Sequence, residues 1–198
     1  MYYGNDQASM KILIAAKKLF AKNGFYNTTI YEICKEAGVH VMMLKYNFRL
    51  KENVLISLFQ VFMPLSLIRI NDDKSLVDPV ARLKSIVSEV INVQINDPEM
   101  ILILQHEISL PRPRDEIIQF LVNPLWTELR KILIQGKSKG LFRFDSLDST
   151  MIFITSLILM SRPWEFFLGV IRDPMLSSDL MSEQLCVFIL EALKCSAE

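Results

Sequence analysis

Cysteine, histidine and glycine are all scarce in this chain, with three, two and six among 198 residues. Cys34, Cys186 and Cys195 are too few and too scattered for a disulfide framework or a zinc site, and that usage suits a reducing cytoplasm. His106 stands beside Glu107 in sequence, and neighbours on a helix point in different directions, so the two make no acid-base pair. His106 reads as an interior or pocket histidine. No glycine-rich phosphate loop, nucleophile elbow or paired metal motif is present. The expectation is therefore no catalytic residues, no metal, no cofactor and no enzyme activity. The longest apolar runs fall short of the ~20 residues that span a membrane, and no signal peptide is visible, so a soluble cytoplasmic protein is expected.

Net charge is also absent overall, but its distribution is uneven. Residues 1–51 carry eight basic side chains against three acidic ones, a net of +5, which leaves −5 for the remainder. A basic head on an acidic body suits a phosphate-binding module on a body that DNA repels. Lysines that merely solvate an outer helix face are the other reading, for Lys17 and Lys22 above all. Hydrophobic residues make up 51% of the chain, a slight excess that a subunit interface or a ligand cavity can absorb.

The stretch from Thr28 to Glu52 carries the most information. Thr29 and Glu32 have the spacing of a capping box, which starts a helix. Ile30, Ile33, Cys34 and Ala37 share one face, and Gly38 permits a sharp exit. A second helix over His40 to Asn47 would point Leu44 inward together with Met43 or Tyr46, leaving His40, Val41 and Lys45 outside. Two short helices around a tight turn form a helix-turn-helix, whose second helix enters a DNA major groove.

Ile12, Ala15, Ala16, Leu19, Phe20, Gly24, Phe25, Thr28, Thr29, Ile33, Ala37, Gly38, Val39, Leu44, Tyr46, Phe48, Lys51 and Glu52 together resemble the N-terminal domain of the TetR family of transcriptional regulators. The chain departs from the family's usual pattern at Val41, Met42, Met43, Lys45 and Leu50. The resemblance implies a helix-turn-helix DNA-binding domain over 1–51 and a helical ligand-binding and dimerisation domain over 52–198. Thr28 and Lys51 are expected on phosphates, with Thr29 beside them, and His40, Val41, Lys45, Tyr46 and Asn47 at bases or backbone.

No convincing strand appears, so the class is all-α. A first helix over Ser9–Asn23 braces the motif and stops at Gly24. A fourth covers Glu52–Ile70 with a kink expected at Pro64. Asp78-Pro79 and Asp97-Pro98 each set a capping carboxylate before a proline, so helices are predicted over 79–95 and 98–109. Asp115–Lys139 is a long helix with a kink or restart at Asn123-Pro124. Asp148–Met160 is hydrophobic nearly all round, and Asp179–Leu193 adds a second apolar helix. Paired with their symmetry mates, these two make a four-helix homodimer interface, or else they bury in the subunit's own core.

Phe59, Phe62, Met63, Met100, Leu104, Phe120 and Trp126 can line a cavity, with Gln105 or His106 as polar contacts, although Met and aromatic residues at helical spacing also make plain core. With no Arg or Lys among them, a small, largely apolar or aromatic ligand is expected. The resemblance implies a dimeric repressor on two-fold symmetric double-stranded DNA, released when the ligand moves the connecting helix. A chromosome-organising DNA-binding protein of the same fold, lacking an inducer, is the alternative.

Overall fold

In the computed structural model, residues 7–63, 78–110, 123–160, 169–170, 172 and 177–194 are described. They contain helices α1 (Gln7–Asn23), α2 (Ile30–Ala37), α3 (Val41–Phe48), α4 (Lys51–Phe62), α5 (Pro79–Asn96), α6 (Pro98–Ile108), α7 (Asn123–Ser138), α8 (Leu147–Met160) and α9 (Ser178–Lys194), and no strand among those residues. The fold is all-α. It divides into two compact units that do not follow chain order, one holding α1–α4 and α6, the other α5 and α7–α9.

In the first unit α1 is the hub, packing against α2, α3, α4 and α6. Of the expected stripe Ile12, Ala15, Ala16, Leu19 and Phe20, all but the half-buried Leu19 are buried, and Leu13, off that stripe, is fully buried too. A helix covered by four neighbours buries more than one face. Gly24 (φ 76°) ends α1, its N–H donating to the Phe20 carbonyl at 2.9 Å. The helix read as Glu52–Ile70 is not continuous: α4 ends at Phe62 and Met63 is extended (φ −82°, ψ 140°). Proline disfavours helical geometry in the residue before it, which accounts for the extended Met63, and the kink expected at Pro64 falls outside the described residues. The 64–77 stretch lies outside the described residues.

In the second unit α5 takes the central place against α7, α8 and α9. Asp78 accepts from the Val80 and Ala81 N–H groups, and Pro79 stands where a missing donor costs nothing. Ser146 caps α8 by accepting from Ser149 N at 3.2 Å, and Ser177 caps α9 by accepting from Leu180 N at 3.4 Å. The Gln94 amide, buried on α5, donates to the Ile158 carbonyl at the end of α8. Arg82 and Glu128 pair across α5 and α7 at 3.4 Å, and Arg143 N donates to Leu193 O at 2.6 Å. Gly136 on α7 carries the ring of Phe142 against its backbone.

Only part of the last two helices is buried by this unit. Ile154, Ile158 and Leu159 of α8 are inside, as are Cys186, Ile189 and Leu193 of α9. Ile152, Phe153 and Met160, and Leu180, Val187 and Phe188, remain exposed.

Candidate nucleic-acid interface

The turn from α2 into α3 is built by local chemistry. Thr29 N donates to Glu32 Oε2 at 2.7 Å while Glu32 N donates back to Thr29 Oγ1 at 3.2 Å, closing the predicted capping box. The Thr29 hydroxyl also donates to that carboxylate. These bonds, from the Thr29 N–H first and its hydroxyl second, hold the Glu32 carboxyl below the ordinary carboxylate range. At the other end of α2, Gly38 is left-handed (φ 64°, ψ 36°), its N–H bonding to Lys35 O and the Val39 N–H to Cys34 O. Cys34 is buried, and burial pushes its thiol up, which suits packing over redox chemistry. Lys18 of α1 pairs with Glu36 of α2 at 2.5 Å on the surface.

The second motif helix is anchored by two residues one turn apart, Leu44 and Phe48, both fully buried. Neither Met43 nor Tyr46 points inward as expected: Met43 is exposed and Tyr46 is 85% exposed. Phe48 does the packing that the sequence reading assigned to them. His40 caps α3, its Nδ1 accepting from Met42 N at 3.3 Å. His40, Lys45 and Tyr46 are exposed along with Met42, Val41 is half-buried, and these residues form the outward face of α3. Asn47 is half-buried, with an enclosed amide nitrogen that has no hydrogen-bond partner.

Thr28 and Lys51, both expected on phosphates, make hydrogen bonds within the protein. Thr28 is 0% exposed, and its hydroxyl donates to Gly24 O at 2.8 Å and Leu19 O at 3.3 Å. In this arrangement it fastens the α1–α2 connection and does not face outward. The Lys51 ammonium donates to Phe25 O at 2.8 Å and Thr28 O at 2.7 Å and sits 4.1 Å from the Phe25 ring centre. Two residues outside the sequence reading complete the region. Asn53 donates to Phe48 O at 2.7 Å, closing the end of α3, and Arg49 occupies the bend between α3 and α4 with φ 65°.

A pair of short helices anchored by a few buried side chains, an exposed face on the second and a basic composition are the equipment of a sequence-reading head. A family model described as "Bacterial regulatory proteins, tetR family" matches residues 12–58, from α1 into α4. Those residues are a TetR-type DNA-binding domain. Members of the family bind DNA and regulate transcription, so this chain is a DNA-binding transcriptional regulator. Over 144 residues it is 29% identical to the HTH-type transcriptional repressor NicS of Pseudomonas putida, covering 71% of this chain and 68% of that one. It is 29% identical over 137 residues to the Fatty acid metabolism regulator protein of Bacillus subtilis, covering 66% and 69%. Among solved structures, HlyIIR, a hemolysin II transcriptional regulator, superposes with a TM-score of 0.76 at 28% identity, over 96% of this chain and 98% of that one.

The expected ligand contacts fall in both units. Phe59, Met100, Leu104 and Gln105 are buried within the first, where Met63 is half-buried and Phe62 lies 4.4 Å beneath the Lys17 ammonium. His106 is exposed, not interior, because on α6 the inward positions beside it go to Gln105 and Glu107. Trp126 is half-buried on α7 in the second unit, and Phe120 lies outside the described residues. Among the described residues no group of acidic, histidine or cysteine side chains has a metal-binding arrangement, and no helix is long and apolar enough to cross a membrane.

Proposed function

We propose that this chain is a cytoplasmic repressor of the TetR family, not an enzyme, working as a homodimer on a two-fold symmetric operator in double-stranded DNA. Residues 1–51 serve as the DNA-binding domain and 52–198 as the ligand-binding and dimerisation domain. The observation that carries the reading is the outward face of α3, where His40, Lys45 and Tyr46 stand exposed on a basic segment. Lys45 and His40 offer hydrogen bonds to bases or phosphates, while Val41 and Met42 offer apolar contact to thymine methyls. A modest preference for A·T-leaning sites follows. The exposed apolar side chains of α8 and α9 supply the surface for pairing two protomers, and pairing aligns two heads with two half-sites.

A small, largely apolar or aromatic ligand releases the repressor from DNA. Support comes from the expected lining, which has no Arg or Lys, and from the likeness to a relative named for fatty acid metabolism. Such a ligand acts only if it binds the arrangement that does not fit DNA more tightly than the one that does, and operator must then weaken the ligand by the same factor. Selection from a random duplex library tests the DNA half: a symmetric, A·T-leaning site is expected, and an asymmetric, G·C-rich one overturns it. Calorimetry of an apolar aromatic or fatty-acyl probe with and without operator tests the rest. Equal ligand affinity in both conditions would leave a DNA-binding protein without an inducer.

A further inference from the structure

Four described residues have positive φ, and three of them are glycines: Gly24, Gly38 and Gly140. The fourth is Arg49, at φ 65° and ψ −56°. Leu50 N donates to Phe48 O across it at 2.8 Å, and Arg49 N donates to Lys45 O at 3.1 Å. The first bond spans two residues and closes a γ-turn of the positive-φ kind, a rare and strained conformation for a residue with a side chain. Glycine would adopt it without the clash that Cβ brings. An arginine at that point is therefore costly to the fold.

Nothing among the described residues offsets that cost through the side chain. Arg49 is exposed, and no hydrogen bond or ion pair engages its guanidinium among the described residues. Its charged neighbours in sequence are Lys45, Lys51 and Glu52, so the corner at the end of α3 carries three basic side chains against one acidic one. Lys51 donates to the Phe25 and Thr28 carbonyls, and Arg49 and Lys45 are the exposed cations of this corner. A strained residue kept where glycine would do, carrying an unpaired cation beside the face that meets DNA, fits a group selected for a polyanion.

We propose that Arg49 is a phosphate-contacting residue that extends the DNA interface past the end of α3, and that the γ-turn aims its guanidinium at the backbone. This rests on the DNA-binding reading above. The contact carries no base information, so it adds affinity equally on all sequences.

The test uses the full-length protein and its Arg49→Gly and Arg49→Lys variants, with fluorescence anisotropy on a random-sequence duplex and on the selected operator across a salt series. Arg49→Gly is expected to lower the salt slope by about 0.9 per bound protomer, or about 1.8 for a bound dimer, on both duplexes, so the dimer's affinity ratio between 50 and 200 mM salt shrinks roughly 12-fold. The same variant should melt at a higher temperature than the native chain, because strain is removed. Arg49→Lys should keep most of the slope and none of the thermal gain. An unchanged slope in Arg49→Gly, in a protein whose native form binds both duplexes, overturns the proposal alone. A native protein that binds no duplex overturns the DNA-binding reading and the proposal together.

Discussion

Phe188 on α9 and Phe153 on α8 offer a quantitative test of the dimer. They are 60% and 65% exposed in the single chain. Full burial of a Phe side chain is worth about 1.5–3 kcal/mol, so completing the burial of either recovers roughly 1–2 kcal/mol. A two-fold interface uses each position twice, giving roughly 2–4 kcal/mol per dimer, before the added cost of desolvating a carboxylate. Phe188→Glu should therefore raise the dimer dissociation constant by roughly 30- to 700-fold. Phe153→Glu should do the same. Because both side chains already face outward in the protomer, circular dichroism should find the fold intact. Ile154→Glu, one residue from Phe153 but only 3% exposed, should instead unfold the second unit. A dilution series by sedimentation velocity reads the dissociation constant directly. If both outward variants dimerise at native strength, α8 and α9 are not the interface.

Gly136→Ala should destabilise the second unit by about 1–2 kcal/mol despite alanine's better helix propensity, because a Cβ there would sit 2.7 Å from Phe142 Cγ and nearer still to other ring atoms. In a Phe142→Ala background the same change should become stabilising, and urea midpoints for the two backgrounds check the reversal of sign. For pH, the Glu32 carboxyl lies below its ordinary value in the folded chain, so its contribution is present above the unfolded value and is lost as pH falls through the folded one. Glu32→Gln should accordingly lower stability at neutral pH and flatten the acid limb of the stability curve, so that the two proteins converge as pH falls below about 4. Lys51→Met should lower the melting temperature of the first unit, since it strips the Phe25 and Thr28 carbonyls of a charged donor, and thermal scans at several salt concentrations should find that loss largely unscreened.

Local chemistry was legible in the sequence. The Thr29–Glu32 capping box, the Gly38 exit and the Asp78-Pro79 start depend on residues within four positions of one another, so spacing alone announces them. The family pattern told the architecture for the same reason, as a set of such local signals in fixed order. What escaped depends on neighbours far along the chain. Thr28 looks like a surface threonine until Leu19 and Gly24 fold back over it, and Lys51 looks like a phosphate ligand until two carbonyls capture it. Tyr46 was open to an inward reading because the predicted helix stopped at Asn47, one residue short of Phe48, which fills that place. Leu13 and the packing of α6 on α1 follow from a hub with four neighbours, which periodicity of one helix cannot reveal. Gly136 carries no turn and no positive φ, so only the approach of Phe142 gives it meaning.

The Lys51 ammonium joins carbonyls 23 and 26 residues earlier in the chain to the first residue of α4. The whole of α2, the turn and α3 lies inside the loop so closed. It serves as a noncovalent staple across a protein that spends no disulfide there, and it removes configurational freedom from the segment that must hold its shape against DNA. Opening that loop exposes both motif helices at once. Amide hydrogens of α2 and α3 should then exchange with solvent as one cooperative block, at a common free energy set by the staple and the core beneath it, and not fray helix by helix.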